Sequence, residues 1–266
     1  MNWERLTAPQ FEQAVEACAR VCLLPIGVIE KHGDHLPLGQ DTLYIHDVCS
    51  MAGEQEPAMV FPPYYFGQIL EARHVPGTVA IRSELLLPLL ENVCDEIGRN
   101  GFTRVVIVNG HGGNTAMLRY FCMTLLEKDK PYVVIVSELG GSDEHADALR
   151  EAKVDAHGGE SETCSMLHLR PELVKTGEYG DYGLPLKRLE RYGSLGLTTG
   201  IGWYADFPGH FAGDKVRLTK KKGEAFVKAK VRRLVEQIRL IKSDDTPSKL
   251  YREYLRRSQS PANRYP

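Results

Sequence analysis

Long apolar runs are missing from this sequence. No stretch approaches the roughly 20 residues that a membrane-spanning helix needs, so no membrane partner is expected. The first residues mix charges of both signs and contain no apolar core segment, so no signal peptide is expected there and the reading is cytoplasmic. A strong charge of one sign is missing too. The formal net charge is -2, which gives no electrostatic reason to bind nucleic acid or an anionic membrane. Cysteine is sparse: Cys18, Cys22, Cys49, Cys94, Cys122 and Cys164 have no histidine at zinc-finger spacing and read as reduced, mostly buried thiols. No G-x-G-x-x-G follows a strand and no G-K-[ST] occurs, which excludes the usual dinucleotide and P-loop motifs. Internal repeats and low-complexity linkers are absent as well.

What is present suffices for one large core. Of 266 residues, 42% are hydrophobic and 26% charged, the balance of an ordinary globular protein, and the length fits one α/β domain. The expected organisation is a domain over residues 1–245 and a tail over 246–266. The tail carries Arg252, Arg256, Arg257 and Arg264 and reads as a solvated end.

Hydrophobic periodicity predicts helices over 8–19, 41–53, 83–99, 115–127, 160–169 and 219–241, with Ser83 as the cap of the third. Apolar runs at 21–29, 58–61 and 132–137 read as strands, the first of them buried, and the β-branched run at 104–108 suits a parallel strand covered on both faces. This alternation predicts a single-domain layered α/β/α fold with a mainly parallel sheet. Residues 177–215, rich in glycine and aromatics, resist assignment. Tyr179, Tyr182, Tyr192, Trp203, Tyr204 and Phe207 cluster there, to shape specificity or to pack a subunit interface.

Three polar clusters follow apolar or helical segments. In the first, Glu30 and His32 come just after a strand and, two apart in extended backbone, point to one side. A carboxylate and an imidazole so placed suit zinc or manganese. Asp41 lies past a proline–glycine loop that can fold it back, and its two oxygens can bridge two ions. The second cluster is Asn109-Gly110-His111-Gly112-Gly113-Asn114, where a buried strand turns into a helix, the sheet edge at which ligands bind. Its glycines let backbone approach closely and expose N–H groups suited to an oxyanion. The third is His157-Gly158-Gly159-Glu160-Ser161-Glu162-Thr163 at a helix start, where the helix dipole alone accounts for Glu160.

Together these clusters resemble the creatininase (creatinine amidohydrolase) family. The resemblance lies in the Glu30–Asp41 segment, in Asn109–Asn114, in His157-Gly158-Gly159 with Glu162-Thr163, and in His74-Val75-Pro76-Gly77-Thr78. It covers roughly residues 8–240 and implies an α/β hydrolase with two metal ions, zinc and/or manganese, with iron also accepted. It further implies that Asp41 bridges the ions, that Glu30 and His111 bind one and that His32 binds the other. Creatininase has a glutamate two residues after the Asn-Gly-His-Gly histidine. Here Gly113 stands there, and Glu162 is the candidate replacement. Asp34 and Gln40 replace a usual proline and threonine, which argues against creatinine itself.

The resemblance implies water attack on a carbonyl, with His157 carrying the proton to the leaving nitrogen. The expected substrate is a small cyclic amide or formamide. A cyclic polyol ketone opened by the same attack, or a binding protein without catalysis, are the alternatives. His74, Gly112 and Gly113 are substrate-side candidates, with a structural role equally open for His74. His35 is expected to hold its loop by hydrogen bonds. His46, His145, His168 and His210 read as surface or satisfied core residues. A homo-oligomer is expected from the family's habit.

Overall fold

The computed structural model describes residues 1–180 and 183–261; Tyr182 and Arg264, singled out above, lie outside them. The chain runs α1 (Ala8–Ala17), β1 (Val21–Ile26), α2 (Gln40–Gln55), β2 (Met59–Val60), α3 (Ser83–Arg99), β3 (Arg104–Asn109), α4 (Asn114–Thr124) and β4 (Val133–Ser137). It continues with α5 (Glu144–Ala148), β5 (Asp155–His157), α6 (Glu160–Leu169), α7 (Glu190–Gly193), α8 (Gly202–Asp206), β6 (Ala212–Gly213), α9 (Lys220–Ser243) and α10 (Thr246–Ser258).

Four strands form one sheet in the order β2-β1-β3-β4, with every pair parallel. Alternation along the strands divides the core into two layers. Cys22, Leu24, Ile26, Val105 and Ile107 face α1, α3 and α4, where Leu90, Ile97, Leu118 and Phe121 meet them. Val21, Leu23, Val106 and Val108 face α2 and α9, against Ile45, Val48, Val231, Leu234 and Ile238. A sheet covered on both faces by helices is the layered α/β/α fold that the strand–helix alternation predicts.

The sheet sets up the polar rim. Ile26 and Asn109 are register partners at the ends of β1 and β3, and Gly110 N–H donates to the Ile26 carbonyl at 2.8 Å. The segments leaving these two strands therefore start side by side. Gly110 is needed for this: a Cβ there would lie 2.8 Å from Ile45 Cβ and 2.9 Å from the Asp41 carbonyl, so any side chain would push α2 off the turn.

Three expectations need amending. Helix α3 begins at Ser83 itself, with Arg82 in the cap position and no side-chain cap bond. The terminal segment is not featureless: α10 spans Thr246–Ser258, opened by Pro247 in its first turn. None of its residues is buried, yet the Tyr251 hydroxyl reaches the Leu125 and Lys128 carbonyls and holds the helix to the end of α4. The unassigned glycine-rich stretch contributes β6, which pairs antiparallel with β5. All six cysteines are free, and all but Cys122 are buried. No helix among the described residues is long and apolar enough to cross a membrane.

Candidate metal centre

Asp41, in the first turn of α2, is almost fully buried, and its two carboxylate oxygens meet two different imidazoles. Oδ1 lies 3.0 Å from His32 Nε2, and Oδ2 lies 3.0 Å from His111 Nδ1. His32 comes from the loop after β1 and His111 from the turn after β3, so the neighbouring strand ends bring them to one carboxylate. Glu30 completes this half: Oε1 is 2.8 Å from His111 Nδ1. Glu162, at the start of α6, comes within 3.8 Å of His32 Nε2 and accepts the Gly158 N–H at 2.7 Å. Glu30, Asp41 and His111 offer one set of convergent ligand atoms; His32, His157 and Glu162 offer another.

The orphaned atoms test whether a metal fits. Glu30 Oε1 and Asp41 Oδ2 are buried and make no well-aligned hydrogen bond, although both sit within ion-pair distance of His111 Nδ1. Buried carboxylate oxygens without donors are costly in a protein interior. Ligand atoms of Glu30, Asp41 and His111 lie within 4.8 Å of one another, close enough for one cation to take all three. The oxygen and nitrogen donors suit zinc or manganese.

The electrostatics follow from crowding three carboxylates into a buried site. Burial opposes charge on His32, yet Asp41, Glu162 and Glu30 push its pKa up to about 9. Burial likewise opposes charge on His111, and Glu30 and Asp41 again prevail, holding it well above the ordinary range. Burial would raise the Glu30 carboxyl, but His111, His210 and His157 hold it far below the usual carboxylate range. Burial pushes Glu162 up to about 7 despite His32. Burial, with His32 adding to it, takes His157 down to about 3.

His157 stacks on His32 with ring centroids 4.1 Å apart, and its Nε2 meets the Lys31 carbonyl at 2.7 Å. His35 holds its loop as expected, with Nε2 3.0 Å from the Gly158 carbonyl and 2.8 Å from Thr163 Oγ1. His74 turns its ring nitrogens to the Glu71 and Pro208 carbonyls, at 3.2 and 2.9 Å, and so links two loops. Glu138 accepts from Asn109 Nδ2 at 2.7 Å, and Asn109 Oδ1 in turn accepts the His111 N–H at 3.2 Å, so Glu138 braces the His111 turn. Glu160 is structural: it pairs with Lys222 at 2.5 Å and accepts the Glu151 and Ala152 N–H groups.

Two residues of the site escaped the sequence reading. His210, read there as a surface or satisfied core residue, is buried with Nε2 2.5 Å from Glu30 Oε2 and Nδ1 accepting from Trp203 Nε1 at 3.0 Å. It is satisfied in hydrogen bonding, but by a site carboxylate. Its backbone is left-handed, with φ at 55°, a strain that often marks a functional position. Glu71 lines the pocket beside Gly112 and Gly113. This pocket, of about 370 Å³, is also lined by Glu30, Asp41, His111, His157, Glu162, Trp203 and His210.

Comparison with known proteins places this arrangement. The profile of the creatinine amidohydrolase (Creatininase) family matches residues 4–238. The mycofactocin precursor peptide peptidase of Mycolicibacterium smegmatis is 34% identical over 165 residues, 59% of this chain. That match spans 60% of the relative's own length. A solved structure from Bacteroides fragilis, assigned as a creatinine amidohydrolase, superposes with a TM-score of 0.80 at 25% identity, covering 92% of this chain and 97% of that one. Solved zinc–zinc and manganese forms of creatininase share the fold at 23% identity, with TM-scores of 0.75 and 0.74, each covering 90% of this chain and 96% and 97% of theirs. With a profile match running nearly from end to end and the same fold beneath it, the chain belongs to the creatinine amidohydrolase family.

Proposed function

We propose that this protein is a metal-dependent hydrolase that cleaves a C–N bond of a small cyclic amide or formamide. Two divalent ions would be held by Glu30, His32, Asp41, His111 and Glu162. The observation that carries this reading is the Asp41 carboxylate, buried between two imidazoles with one oxygen on each. Glu30 Oε1, Asp41 Oδ2 and His111 Nδ1 would hold one ion; His32 Nε2, Asp41 Oδ1 and Glu162 Oε2 would hold the other. Zinc or manganese suits these donors, and iron is also accepted. The zinc–zinc and manganese forms of creatininase support that choice.

Bound divalent ions supply Lewis acidity and bring the pKa of water from about 16 toward 7. The protein's own residues do the rest. His157 donates its Nε2–H to the Lys31 carbonyl, which leaves Nδ1 as the unprotonated nitrogen of a neutral imidazole. That nitrogen would relay the proton from the attacking water to the leaving nitrogen, passing it on rather than holding it, since burial and His32 keep its pKa down at about 3. The N–H groups of Gly112 and Gly113 have no acceptor among the described residues, and they open α4. They suit the negative charge that develops on the acyl oxygen. The C–N bond breaks, hydroxide joins the acyl carbon and the proton joins the nitrogen.

A second reading, hydrolysis of a peptide bond, is favoured by a second cavity. It has a volume of about 560 Å³ and shares Ala156 and Glu162 with the metal-facing pocket. Glu162 keeps 27% of its side chain exposed, whereas the Glu30, Asp41 and His32 side chains are at most 2% exposed. A chain longer than a single ring could extend past Glu162 into that space. The peptide activity named for the mycobacterial relative supports this reading.

The test is metal analysis of the purified protein, then hydrolysis assays on lactams, formamides, short peptides and inososes. Two equivalents of metal in the parent and fewer in Asp41→Ala are expected. Two equivalents retained in Asp41→Ala would remove the bridging role.

A further inference from the structure

His111 turns Nδ1 toward Glu30 and Asp41, so with a cation on that nitrogen the ring is neutral and its Nε2 must carry the hydrogen. Nε2 is buried and has no hydrogen-bond partner. A buried N–H without an acceptor costs roughly 1–3 kcal/mol, and ligand histidines nearly always donate their second ring N–H to a carboxylate or carbonyl. The geometry around Gly113 points to the missing acceptor. A Cβ at Gly113 would lie 2.4 Å from His111 Nε2 and 3.0 Å from Glu71 Oε1, so both atoms border the space left by the same bare glycine.

Glu71 is prepared for this role. Its Oε2 accepts from Gln68 Nε2 at 2.9 Å, while Oε1 has no donor among the described residues. Gln68 is itself tied to the start of α4, its N–H donating to Asn114 Oδ1 at 2.8 Å. The Glu71 carbonyl is met by His74 Nδ1 at 3.2 Å. The loop is thus fixed at both ends, and only the flexible Glu71 side chain needs to turn.

We propose that Glu71 is the positioning residue of the metal centre: its Oε1 accepts the His111 Nε2–H across Gly113, fixing the ring so that Nδ1 faces the cation. This rests on the metal-centre reading above and goes beyond it. It also gives Gly113 a reason of its own, because any side chain there would wedge the carboxylate away from the imidazole.

The experiment measures metal affinity, not turnover. The parent protein, Glu71→Ala, Glu71→Gln and Gly113→Ala are each stripped and titrated with zinc or manganese against a chromophoric chelator, with circular dichroism as the check on folding. Glu71→Ala should weaken the ion on His111 about 10–100-fold, the range for removing an outer-shell partner. Glu71→Gln keeps an acceptor oxygen and should recover most of that loss. Gly113→Ala should weaken the same ion, and adding Glu71→Ala to it should cost little more, since the contact is already broken. Parental affinity in Glu71→Ala overturns the proposal while leaving the metal centre intact, and so does a Glu71→Gln variant as weak as the alanine. A parent that binds neither metal overturns both.

Discussion

His210 Nε2 lies 2.5 Å from Glu30 Oε2, across 180 residues of sequence. Glu30 thus presents one oxygen to His111 and the proposed cation and the other to His210. The short β5–β6 pair makes this possible by setting His157 and the chain just before Ala212 side by side, with the two imidazole centroids 4.6 Å apart.

Replacing His210 by alanine should therefore damage the centre without removing a ligand of the proposed pair of ions. Glu30 Oε2 loses its closest donor in a fully buried place, a cost of about 1–3 kcal/mol. Metal affinity should fall about 10–100-fold as Glu30 loses its fixed orientation. Urea melts and chelator titration check the two effects separately. A variant that melts like the parent and keeps its metal would make His210 a packing residue only.

The layered fold was legible because its signals are local and repeated. Strand β1 is an unbroken apolar run, β3 is one between Arg104 and Asn109, and α6 has the boundaries its pattern predicts. Glu30 and His32 were legible because they lie in the loop just after β1, Asp41 because it opens α2, and His111 because it follows closely on β3. His210 was not, because β6 has only two residues and no period to detect. One signal was available: His32, His111, His157 and His210 all have a glycine neighbour in sequence. Glu71 sits in a single 3-10 turn, Leu70–Ala72, in a stretch without helix signals, and nothing in its sequence context marks it. Helix α10 was missed although Thr246-Pro247 is a regular helix opening, because its charges suggested a solvated end.

The Lys222–Glu160 pair belongs to the scaffold, and a variant can show it. Lys222 is buried, 2.5 Å from Glu160, whose side chain has no exposed surface. It also meets Glu151, which is half exposed. Lys222→Met leaves the Glu160 carboxylate in the interior with only two backbone N–H groups. Breaking a buried pair on one side costs about 3–5 kcal/mol. The expected result is a lower melting temperature with an unchanged number of metal equivalents. Loss of metal in a variant that stays folded would mean that α6 transmits the damage to Glu162.

Ala156 offers a test of substrate size. It lines both the metal-facing pocket and the larger cavity, so Ala156→Leu should narrow the passage between them. A substrate confined to the first pocket should be hydrolysed much as before. One that extends into the second should lose roughly tenfold or more in kcat/KM, the scale of a few methylenes in a closed pocket. The ratio of kcat/KM for a formamide and for a tripeptide measures this. Equal losses on both would argue that substrates do not cross between the cavities.

The pH dependence of the metal-stripped protein has a definite sign. His32 has a folded pKa of about 9, above its ordinary 6.5, so the folded state binds its proton more tightly than the unfolded chain does. Its contribution is complete below pH 6.5 and is lost as the pH rises through 9, a change of about 3 kcal/mol. His111 is displaced in the same direction and adds to the loss. His157 is displaced downward, to about 3, and its contribution is already constant above pH 6.5, so it does not offset the others. Stability in urea should therefore fall between pH 6.5 and 9 once metal has been removed. Because the cations compete with these protons for the same nitrogens, metal affinity should rise over the same interval. In His32→Gln the fall should be shallower by the His32 share. A stripped protein whose stability is flat or rising across that window would mean that the carboxylates do not hold the histidines protonated, and that the cluster is not assembled without its ions.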